Sequence, residues 1–393
     1  LARRSIQQPR GGVLSLAQME KYDMNYKTFT SESVAAGHPD KICDQISDAV
    51  LDAALAIDPK SRVAVETLVT YDRTIMAGEV TCPKPIDFEK IARRVIKRLG
   101  YTNKLFHFSD KSPIDIYIHQ QSLDIAVGAD ADGAGDQGMM FGYAVRETPE
   151  MMPLPIVLSH RLVEKMDEMR ESGKLPYLRP DGKSEVKVKY VNGKPKGVEK
   201  VVLAVPHDPK IEKEQVKADL FAKVVKPVLA KYGYKIDKKD LIVNGTGRWE
   251  IGGPASDTGV TGRKIIVDSY GGMARIGGGA FSGKDPTKVD RSGAYAARYV
   301  AKNIVANGLA DRAEVQLAYV IGYPEPITKA IETFGTEKKK PAVVADFAFK
   351  KLLDLSVRGI IEGLDLRRPM YEETAAYGHF GRPGFPWEKI VKF

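Results

Sequence analysis

Hydrophobic and polar residues recur with two periods along the chain, and these periods predict its helices and strands. After a polar loop over residues 30–40, apolar residues repeat at helical spacing, which predicts a helix beginning at about Lys41. Acidic residues at positions 44, 48 and 52 line the other side of this helix. Its apolar face consists of Ile42, Ile46, Ala49, Val50 and Ala53.

The same patterns predict the remaining elements. Alternating or short apolar runs indicate strands over residues 62–70, 74–80, 114–120, 139–145, 241–244 and 264–269. Residues 183–205 form a hairpin pattern with Asn192 and Gly193 in its turn. Helices are predicted over residues 88–99, 151–171, 211–232 and 291–307.

Strands and helices therefore alternate in three blocks of roughly a hundred residues each, which predicts an α/β (α+β) protein with helices layered on mixed sheets. Gly-rich stretches mark the boundaries. The predicted organisation is an N-terminal domain over residues 26–122, a gating or linker loop over 123–138, a central domain over 139–248 and a C-terminal domain over 250–389.

Residues 1–23 lack convincing periodicity and stand apart. Arg3, Arg4 and Arg10, together with serines, would fit a transit peptide. Met24 lies just before the first regular segment and is typical of a native start, so a leader added for expression is the favoured interpretation.

Composition excludes several classes of protein. The net charge of +9 is spread over the whole chain, and the run 338–340 lacks the interleaved aromatic residues of a base-stacking surface. We therefore expect no nucleic-acid partner, and a basic balance also suits an enzyme with a polyanionic ligand. No stretch has the length of a membrane span. Two cysteines form no disulfide framework or zinc spacing, which predicts a reducing compartment, the cytosol.

Residues 133–138 (GAGDQG) match a dinucleotide-binding fingerprint in letters but not in context. Such a site needs a strand before the glycines and a helix after them. Here the apolar, aromatic segment 139–145 follows, and Asp136 would place a carboxylate against the pyrophosphate. A dinucleotide site is therefore rejected.

Residues 278–284 (GGAFSGK) match the first seven positions of a P-loop. The eighth position should be Ser or Thr, but Asp285 and then Pro286 follow, and residues 285–290 resemble a loop. Small residues that allow close backbone approach nevertheless precede Lys284, Lys288 and Asp290. Converging cations and a carboxylate suit a metal-bound polyphosphate. The alternative is a solvated surface loop.

Two more segments carry side chains that suit a metal-bound polyphosphate. His38, Asp40 and Lys41 place an imidazole, a carboxylate and an amine at the mouth of the first helix, although a lone histidine is more often structural. Asp257 is followed by Arg263 and Lys264 around a Gly-rich turn. These groups could contribute to the same cleft.

Five segments together resemble the S-adenosylmethionine synthetase (methionine adenosyltransferase) family. They are residues 29–53, 133–144, 252–268, 270–291 and 372–380 with 385–389, in unbroken order. The resemblance implies three similar domains of mixed sheet and helices around a pseudo-threefold axis. It also implies a homodimer with shared active sites. In this family the dimer is usually part of a homotetramer.

The family joins ATP and L-methionine into S-adenosylmethionine and then hydrolyses the bound tripolyphosphate. Carried over by position, the catalytic residues would be His38, Asp136, Lys183, Arg263 and Lys284. ATP would contact His38, Asp181, Lys183, Arg248, Trp249, Asp257, Arg263, Lys264, Ala280 and Lys284. Methionine would contact Glu79, Gln121, Asp257 and Lys288. Two Mg²⁺ ions would lie at Asp40 and Asp290, and K⁺ at Glu66.

The sequence departs from the family pattern at three places. Trp249 stands where Phe is usual, Gly245 where Pro is usual, and Leu123 where Pro is usual. The alternatives to an adenosyltransferase are a tripolyphosphatase or ATPase that has lost transfer, and a basic nucleic-acid or regulatory binding module.

Overall fold

The computed structural model describes residues 27–120 and 133–393, which form layers of helix on sheet. The proposed leader over 1–23, Gln121 and most of the proposed gating loop lie outside the described residues. The strands are β1 (Thr28–Val34), β2 (Arg62–Thr70), β3 (Arg73–Thr81), β4 (Ile114–His119), β5 (Gly138–Val145), β6 (Lys183–Val191), β7 (Lys194–Ala204), β8 (Leu241–Val243), β9 (Gly259–Val260), β10 (Arg312–Tyr319) and β11 (Thr328–Glu332).

The helices include three long ones, and the rest are short. The long helices are α1 (Pro39–Ile57), α3 (Leu154–Glu171) and α7 (Val289–Ala306). The others are α2 (Phe88–Arg98), α4 (Lys213–Leu220), α5 (Lys226–Lys231), α6 (Ile265–Asp268), α8 (Pro341–Asp346), α9 (Val357–Gly363) and α10 (Tyr371–Thr374). A π-helical segment over Phe221–Val225 joins α4 to α5, and another over Phe347–Lys351 follows α8.

Each of the three sheets carries one long helix. The order β4-β3-β2-β9 lies against α1, the order β1-β6-β7-β8 against α3, and the order β11-β10-β5 against α7. The first two sheets are mixed, because the β3–β4 and β7–β8 pairs are parallel, and the third is antiparallel. The predicted fold class, three domains of helices and mixed sheets, is confirmed.

The three units exchange strands in a closed cycle. β1 comes from the predicted N-terminal segment but pairs with β6 of the central one. β5 comes from the central segment and pairs with β10 of the C-terminal one. β9 comes from the C-terminal segment and pairs with β2 of the N-terminal one. Each unit therefore needs a strand from a neighbour to complete its sheet.

The helix α1 buries the apolar face that its sequence predicts. Pro39 starts the helix with a φ suited to its first turn, and His38 caps it. Ile42, Ile46 and Val50 are fully buried and belong to the same core as the inward side of β2. Each such side chain contributes roughly 1.5–3 kcal/mol on burial.

The polar side of α1 is also buried, and it packs against the backbone of other segments. Four carboxylates one turn apart accept backbone amides from segments far along the chain, and we call them the acidic ladder. They are Asp40, Asp44, Asp48 and Asp52, and the donors, in that order, are the amides of Val260 (2.9 Å), Gly262 (2.8 Å), Gly283 (2.8 Å) and residues 370–372 (2.8–3.1 Å).

Buried cations compensate the charge of this ladder. Arg291 donates to both oxygens of Asp48, at 2.6 and 2.8 Å, and both side chains are inaccessible to solvent. Lys41 lies 2.8 Å from Asp44 and 2.5 Å from Asp268. Burial raises the pKa of Asp268 to about 7, although Lys41 opposes the rise. Breaking a buried pair of this kind leaves an uncompensated charge.

Most of the predicted elements are confirmed within two or three residues of their ends, but the strand over residues 264–269 is wrong. Its β-branched residues favour a strand, whereas Ile265–Asp268 form one helical turn, closed by a 2.8 Å bond from the Asp268 amide to the Lys264 carbonyl. That turn delivers the Asp268 carboxylate to Lys41. A tertiary ion pair therefore overrides local preference.

A further expectation is confirmed. β5 begins at the last residue of the GAGDQG segment, so the strand that excluded a dinucleotide site is present. Cys43 is fully buried and free of a disulfide. Within the described residues, no helix combines the length and the apolar character needed to cross a bilayer.

Arg291→Met should lower the free energy of unfolding by about 3–5 kcal/mol, because Asp48 would remain buried without its cation. Urea unfolding followed by circular dichroism measures the change. The matched control is Arg73→Met, which breaks an exposed pair with Asp115 and should leave stability almost unchanged. Equal effects of the two substitutions would contradict the role assigned to the buried pair.

Candidate active site

His38 lies at the mouth of α1, where its ring caps the helix. Its Nδ1 accepts the amide of Asp40 at 3.2 Å, and the residue is 1% exposed. Burial lowers the pKa of His38 to about 3, and the charges of Lys264 and Lys183 act in the same direction. The ring is therefore neutral at pH 7. Because Nδ1 accepts a hydrogen bond, we assign the proton to Nε2, which makes that atom a donor.

Asp40 sits two residues further on and is ionised. Burial alone would raise its pKa, but hydrogen bonds from Lys264 and the Val260 amide lower it below the usual range. Lys264 Nζ bonds directly to Oδ2, and Arg263 Nε lies 3.8 Å from Oδ1. One buried carboxylate thus holds two cations close to the imidazole.

Asp181 and Lys183 lie at the start of β6. Asp181 is buried and accepts the amides of Gly182 at 2.7 Å and Gly253 at 2.8 Å. Burial raises the pKa of Asp181 to about 6, against the effect of those bonds. Lys183 is exposed, yet its charge acts on His38. The exposed Asp257 raises the pKa of Asp181, which places it nearby.

We call this first group the imidazole cluster. Its members are His38, Asp40, Asp181, Lys183, Asp257, Arg263 and Lys264. Arg248 and Trp249 lie on the segment that leads to Gly253, and their side chains have partners there. Arg248 pairs with Glu212 at 3.2 Å, and the Trp249 indole donates to the Ile251 carbonyl at 2.8 Å.

A second group surrounds a cleft of about 300 Å³ on β2 and β3. Glu66, Glu79, Ala280 and Lys284 all line it. The Gly-rich loop reaches this cleft by running alongside β2: the Val65 amide donates to the Gly283 carbonyl, and the Asp285 amide to the Val63 carbonyl, both at 3.0 Å. The loop thus extends the sheet and is not a solvated surface loop.

The cations of the loop are paired with carboxylates. Lys284 Nζ lies 2.6 Å from Asp290 Oδ2, and Lys288 Nζ lies 3.1 Å from Asp285 Oδ2. Asp285 is fully buried, and burial alone would raise its pKa, but Lys288 and other donors hold that pKa below its usual range. The residue that excluded a P-loop is therefore an ionised anchor for this loop.

Asp290 occupies the first turn of α7 in a cradle made by glycines. A Cβ on Gly279 would lie 2.0 Å from Asp290 Cγ, and one on Gly138 would lie 3.1 Å from Oδ1. The segment that carries the exposed Asp136 is fixed nearby, because the Gly135 amide donates to the Thr287 carbonyl at 3.3 Å. The absence of side chains at Gly279 and Gly138 therefore leaves room for the Asp290 carboxylate close to their backbone.

We call this second group the lysine cluster. Its members are Glu66, Glu79, Asp136, Ala280, Lys284, Lys288 and Asp290. The two clusters approach each other where Ala280 lies against Gly262. Alternate residues of a strand face opposite sides. Val63, Val65 and Val69 are buried in the core with α1, so the cleft at Ala64 and Glu66 opens away from that helix.

The carboxylates of the two clusters fit Mg²⁺ only if a bound phosphate ligand supplies further oxygens. Among residues 27–120 and 133–393, no three His, Cys, Asp or Glu side chains form a group that could hold a metal ion. Mg²⁺ is commonly held by one or two carboxylates plus substrate phosphates and water. Asp40 and Asp290 each provide one buried or nearly buried carboxylate, which fits that pattern.

A larger groove of about 520 Å³ lies between α3 and α5 and contains none of the predicted site residues. Its lining of alternating acids and bases, with Tyr232 and Tyr377, has no resemblance to the two clusters.

Sequence reasoning did not identify Asp44, Asp48 and Asp285 as anchors of the site loops. A stripe of acids on an otherwise apolar helix was the available signal for the first two.

Three family descriptions match the chain in order. They are the S-adenosylmethionine synthetase N-terminal domain over residues 26–123, the central domain over 131–249 and the C-terminal domain over 251–389.

Similar whole proteins carry the name S-adenosylmethionine synthase. The chain is 52% identical over 382 residues to that of Treponema denticola, covering 95% of this chain and 97% of the relative. It is 50% identical over 386 residues to that of Desulforudis audaxviator, covering 93% and 96%. For Thermus thermophilus the identity is 51% over 376 residues, covering 92% and 95%.

Gly279→Ala should lower the free energy of unfolding by about 1–3 kcal/mol, because the new methyl group would overlap the Asp290 carboxylate. Chemical denaturation measures this change. The neighbouring Gly278→Ala is the control, since a Cβ there meets nothing within 4 Å, and it should change stability by less than about 0.5 kcal/mol. If both variants matched the wild type, the cradle around Asp290 would be refuted.

Proposed function

The chain belongs to the S-adenosylmethionine synthetase family, and we propose that its imidazole and lysine clusters together join ATP to L-methionine. As a member it is a methionine adenosyltransferase, an enzyme of S-adenosylmethionine synthesis. The observation that carries the proposed site is that Arg263, Lys264 and Lys284 lie beside two carboxylates, Asp40 and Asp290. A polyphosphate and its metal ions need that combination.

The chemistry requires orientation and charge stabilisation but no general base. The methionine sulfur attacks C5′ of ATP with its lone pair, and the C5′–O bond breaks as tripolyphosphate leaves with the electron pair. The sulfur has no proton to lose and becomes a sulfonium. The barrier is lowered by aligning sulfur with C5′ and by stabilising negative charge on the departing oxygen.

His38 is the proposed donor to that oxygen. Its ring is neutral, and Nδ1 is occupied by the Asp40 amide, so Nε2–H remains available for a ligand. A neutral donor fixed at a helix start needs little rearrangement as charge develops. Asp136 in the lysine cluster would be a further acid of the site.

The cations would hold the polyphosphate, and the carboxylates would hold Mg²⁺. Lys183, Arg263, Lys264 and Lys284 are the proposed phosphate contacts. Asp40 and Asp290, which pair with Lys264 and Lys284 here, are the proposed carboxylates for the two Mg²⁺ ions. Bound Mg²⁺ would neutralise charge on the triphosphate. The exposed Glu66 of the cleft would serve K⁺.

The remaining assignments follow the two clusters. Asp181, Arg248, Trp249, Asp257 and Ala280 would border ATP. Glu79, Asp257 and Lys288 would contact methionine. Gln121, proposed for the same ligand, lies outside the described residues. Trp249 keeps its indole N–H on a backbone carbonyl, which leaves the ring face for adenine.

We propose that a complete site needs two subunits. The lysine cleft opens on the side of its sheet away from α1, whereas the imidazole cluster lies at the start of α1. A homodimer that shares its sites, and a homotetramer built from it, would bring the two clusters together. Free cysteines support a reducing compartment, and we propose the cytosol.

Hydrolysis of the bound tripolyphosphate to phosphate and pyrophosphate is the proposed second step. The test of the whole function is mass-spectrometric detection of the sulfonium product together with phosphate release. Product should form only when ATP, methionine, Mg²⁺ and K⁺ are all present. Phosphate release from tripolyphosphate without any sulfonium product would favour a tripolyphosphatase instead, and salt-sensitive nucleic-acid binding without either activity would favour a binding module.

His38→Asn should slow adenosyl transfer by roughly 100- to 1,000-fold, as loss of one donor to a developing oxyanion does. Hydrolysis of added tripolyphosphate should fall far less, because it does not break the C5′–O bond. Single-turnover measurements of both reactions separate the steps. His107→Asn is the control, since His107 stacks on Tyr71 at the surface. Equal loss of both reactions would refute a specific role in transfer.

A further inference from the structure

Two carboxylates in the middle of the acidic ladder repeat one arrangement. Asp44 and Asp48 are fully buried and lie one turn apart on α1. Oδ1 of each accepts a glycine amide at 2.8 Å, from Gly262 and Gly283 respectively. Each Oδ2 accepts a hydrogen bond from a buried cation at 2.8 Å. The cations are Lys41 for Asp44 and Arg291 for Asp48.

Each of these glycines directly precedes a cation of the proposed ATP site. Gly262 is followed by Arg263 and Lys264, and Gly283 is followed by Lys284. The two glycines have φ values of +79° and +80°, a conformation that other residues adopt only with strain. Both loops therefore turn at the residue whose amide the helix holds.

We propose that Asp44 and Asp48 are positioning residues, each of which fixes one cationic loop on α1 through its glycine amide. This role rests on the function proposed above. One helical turn separates the two side chains by about 5–6 Å, and the helix is rigid over that length. Each carboxylate thereby holds the backbone of one loop, which carries Arg263 and Lys264 in the first case and Lys284 in the second, in the position from which it presents its cations.

Contacts between the loops support a common frame. A Cβ on Gly262 would lie 2.5 Å from the Ala280 Cβ, so the two loops touch. Ser47, between the two acids, bonds to Thr261 at 2.9 Å. The Arg291 side chain that pairs with Asp48 also donates to the Lys284 carbonyl at 3.2 Å. Movement of either loop would break several of these bonds at once.

Substitution of Asp52 distinguishes a positioning role from a purely stabilising one. It is the next acid of the ladder and accepts the amides of residues 370–372. That segment carries none of the proposed substrate contacts. Replacing Asp52 should therefore remove backbone hydrogen bonds from α1, as replacing Asp48 does, without moving a proposed phosphate-binding cation.

The test compares Asp48→Asn with Asp48→Leu. Both remove the charge at similar volume, but the asparagine carbonyl can still accept the Gly283 amide, whereas leucine cannot. The affinity of inorganic tripolyphosphate with Mg²⁺ is measured by calorimetry on folded protein, beside KM for ATP and the melting temperature. Asp48→Leu should bind tripolyphosphate roughly ten- to a hundredfold more weakly than Asp48→Asn. Asp52→Leu should bind like the wild type.

Other results would overturn the proposal. Equal tripolyphosphate affinity for the two Asp48 variants, or equal weakening by Asp52→Leu, would make Asp48 a structural residue only. If the leucine variants do not fold, Asp48→Glu decides the question: it keeps the charge but advances the carboxylate by one methylene. It should weaken tripolyphosphate binding of the folded protein, and unchanged binding would refute positioning.

The companion variants Asp44→Asn and Asp44→Leu should differ in the same direction through Gly262. Measurements on the wild-type chain distinguish failure of the proposed function from failure of the positioning role. A wild type that yields no sulfonium product refutes the proposed function. A wild type that yields it, with matched variants that bind tripolyphosphate alike, refutes the positioning role alone.

Discussion

The structure depends on hydrogen bonds from distant backbone amides to the carboxylates of one helix. Four acids spaced by a turn are buried or half-buried along α1, where unpaired charge would be strongly unfavourable. They are satisfied by amides from other segments and by the buried cations Lys41 and Arg291. Hydrogen bonds of this kind favour the charged form of a carboxylate and offset part of the cost of burying it. The loops of the candidate site are thus part of the way in which α1 is neutralised.

This arrangement joins the site to the fold as a whole. The sheets exchange β1, β5 and β9 in a closed cycle, so the three units are not independently complete. The loop with Arg263 follows β9, and the loop with Lys284 runs along β2. Both therefore lie where the N-terminal and C-terminal segments meet. The proposed phosphate-binding cations lie on Gly-rich loops whose backbone is tied to a helix and a sheet.

The local sequence pattern was sufficient to predict most helices and strands, but not the distant residues that bond to them. The apolar face of α1 and the alternation in β2 identify both elements, since each depends on neighbouring residues. The amides that meet Asp40, Asp44 and Asp48 come from positions 218 to 235 residues away, and no local period encodes them. The turn at residues 265–268 was wrong for the same reason, because the pairing of Asp268 with Lys41 is not local.

The candidate site was predictable in composition and less so in arrangement. Motif spacing and resemblance selected His38, Lys284 and Asp290, and the structure places them beside other charged groups. Their division into two clusters follows from the face of β2 on which each lies, which depends on the packing of α1. A sequence does not reveal such a division unless the position of the helix is known.

Amide hydrogen exchange at Gly262 and Gly283 tests the central claim most directly. If the acids of α1 hold these loops, both amides should exchange as slowly as amides inside α1, although they lie in Gly-rich loops. Exchange as fast as that of Gly245, which lies in an exposed turn, would contradict the account.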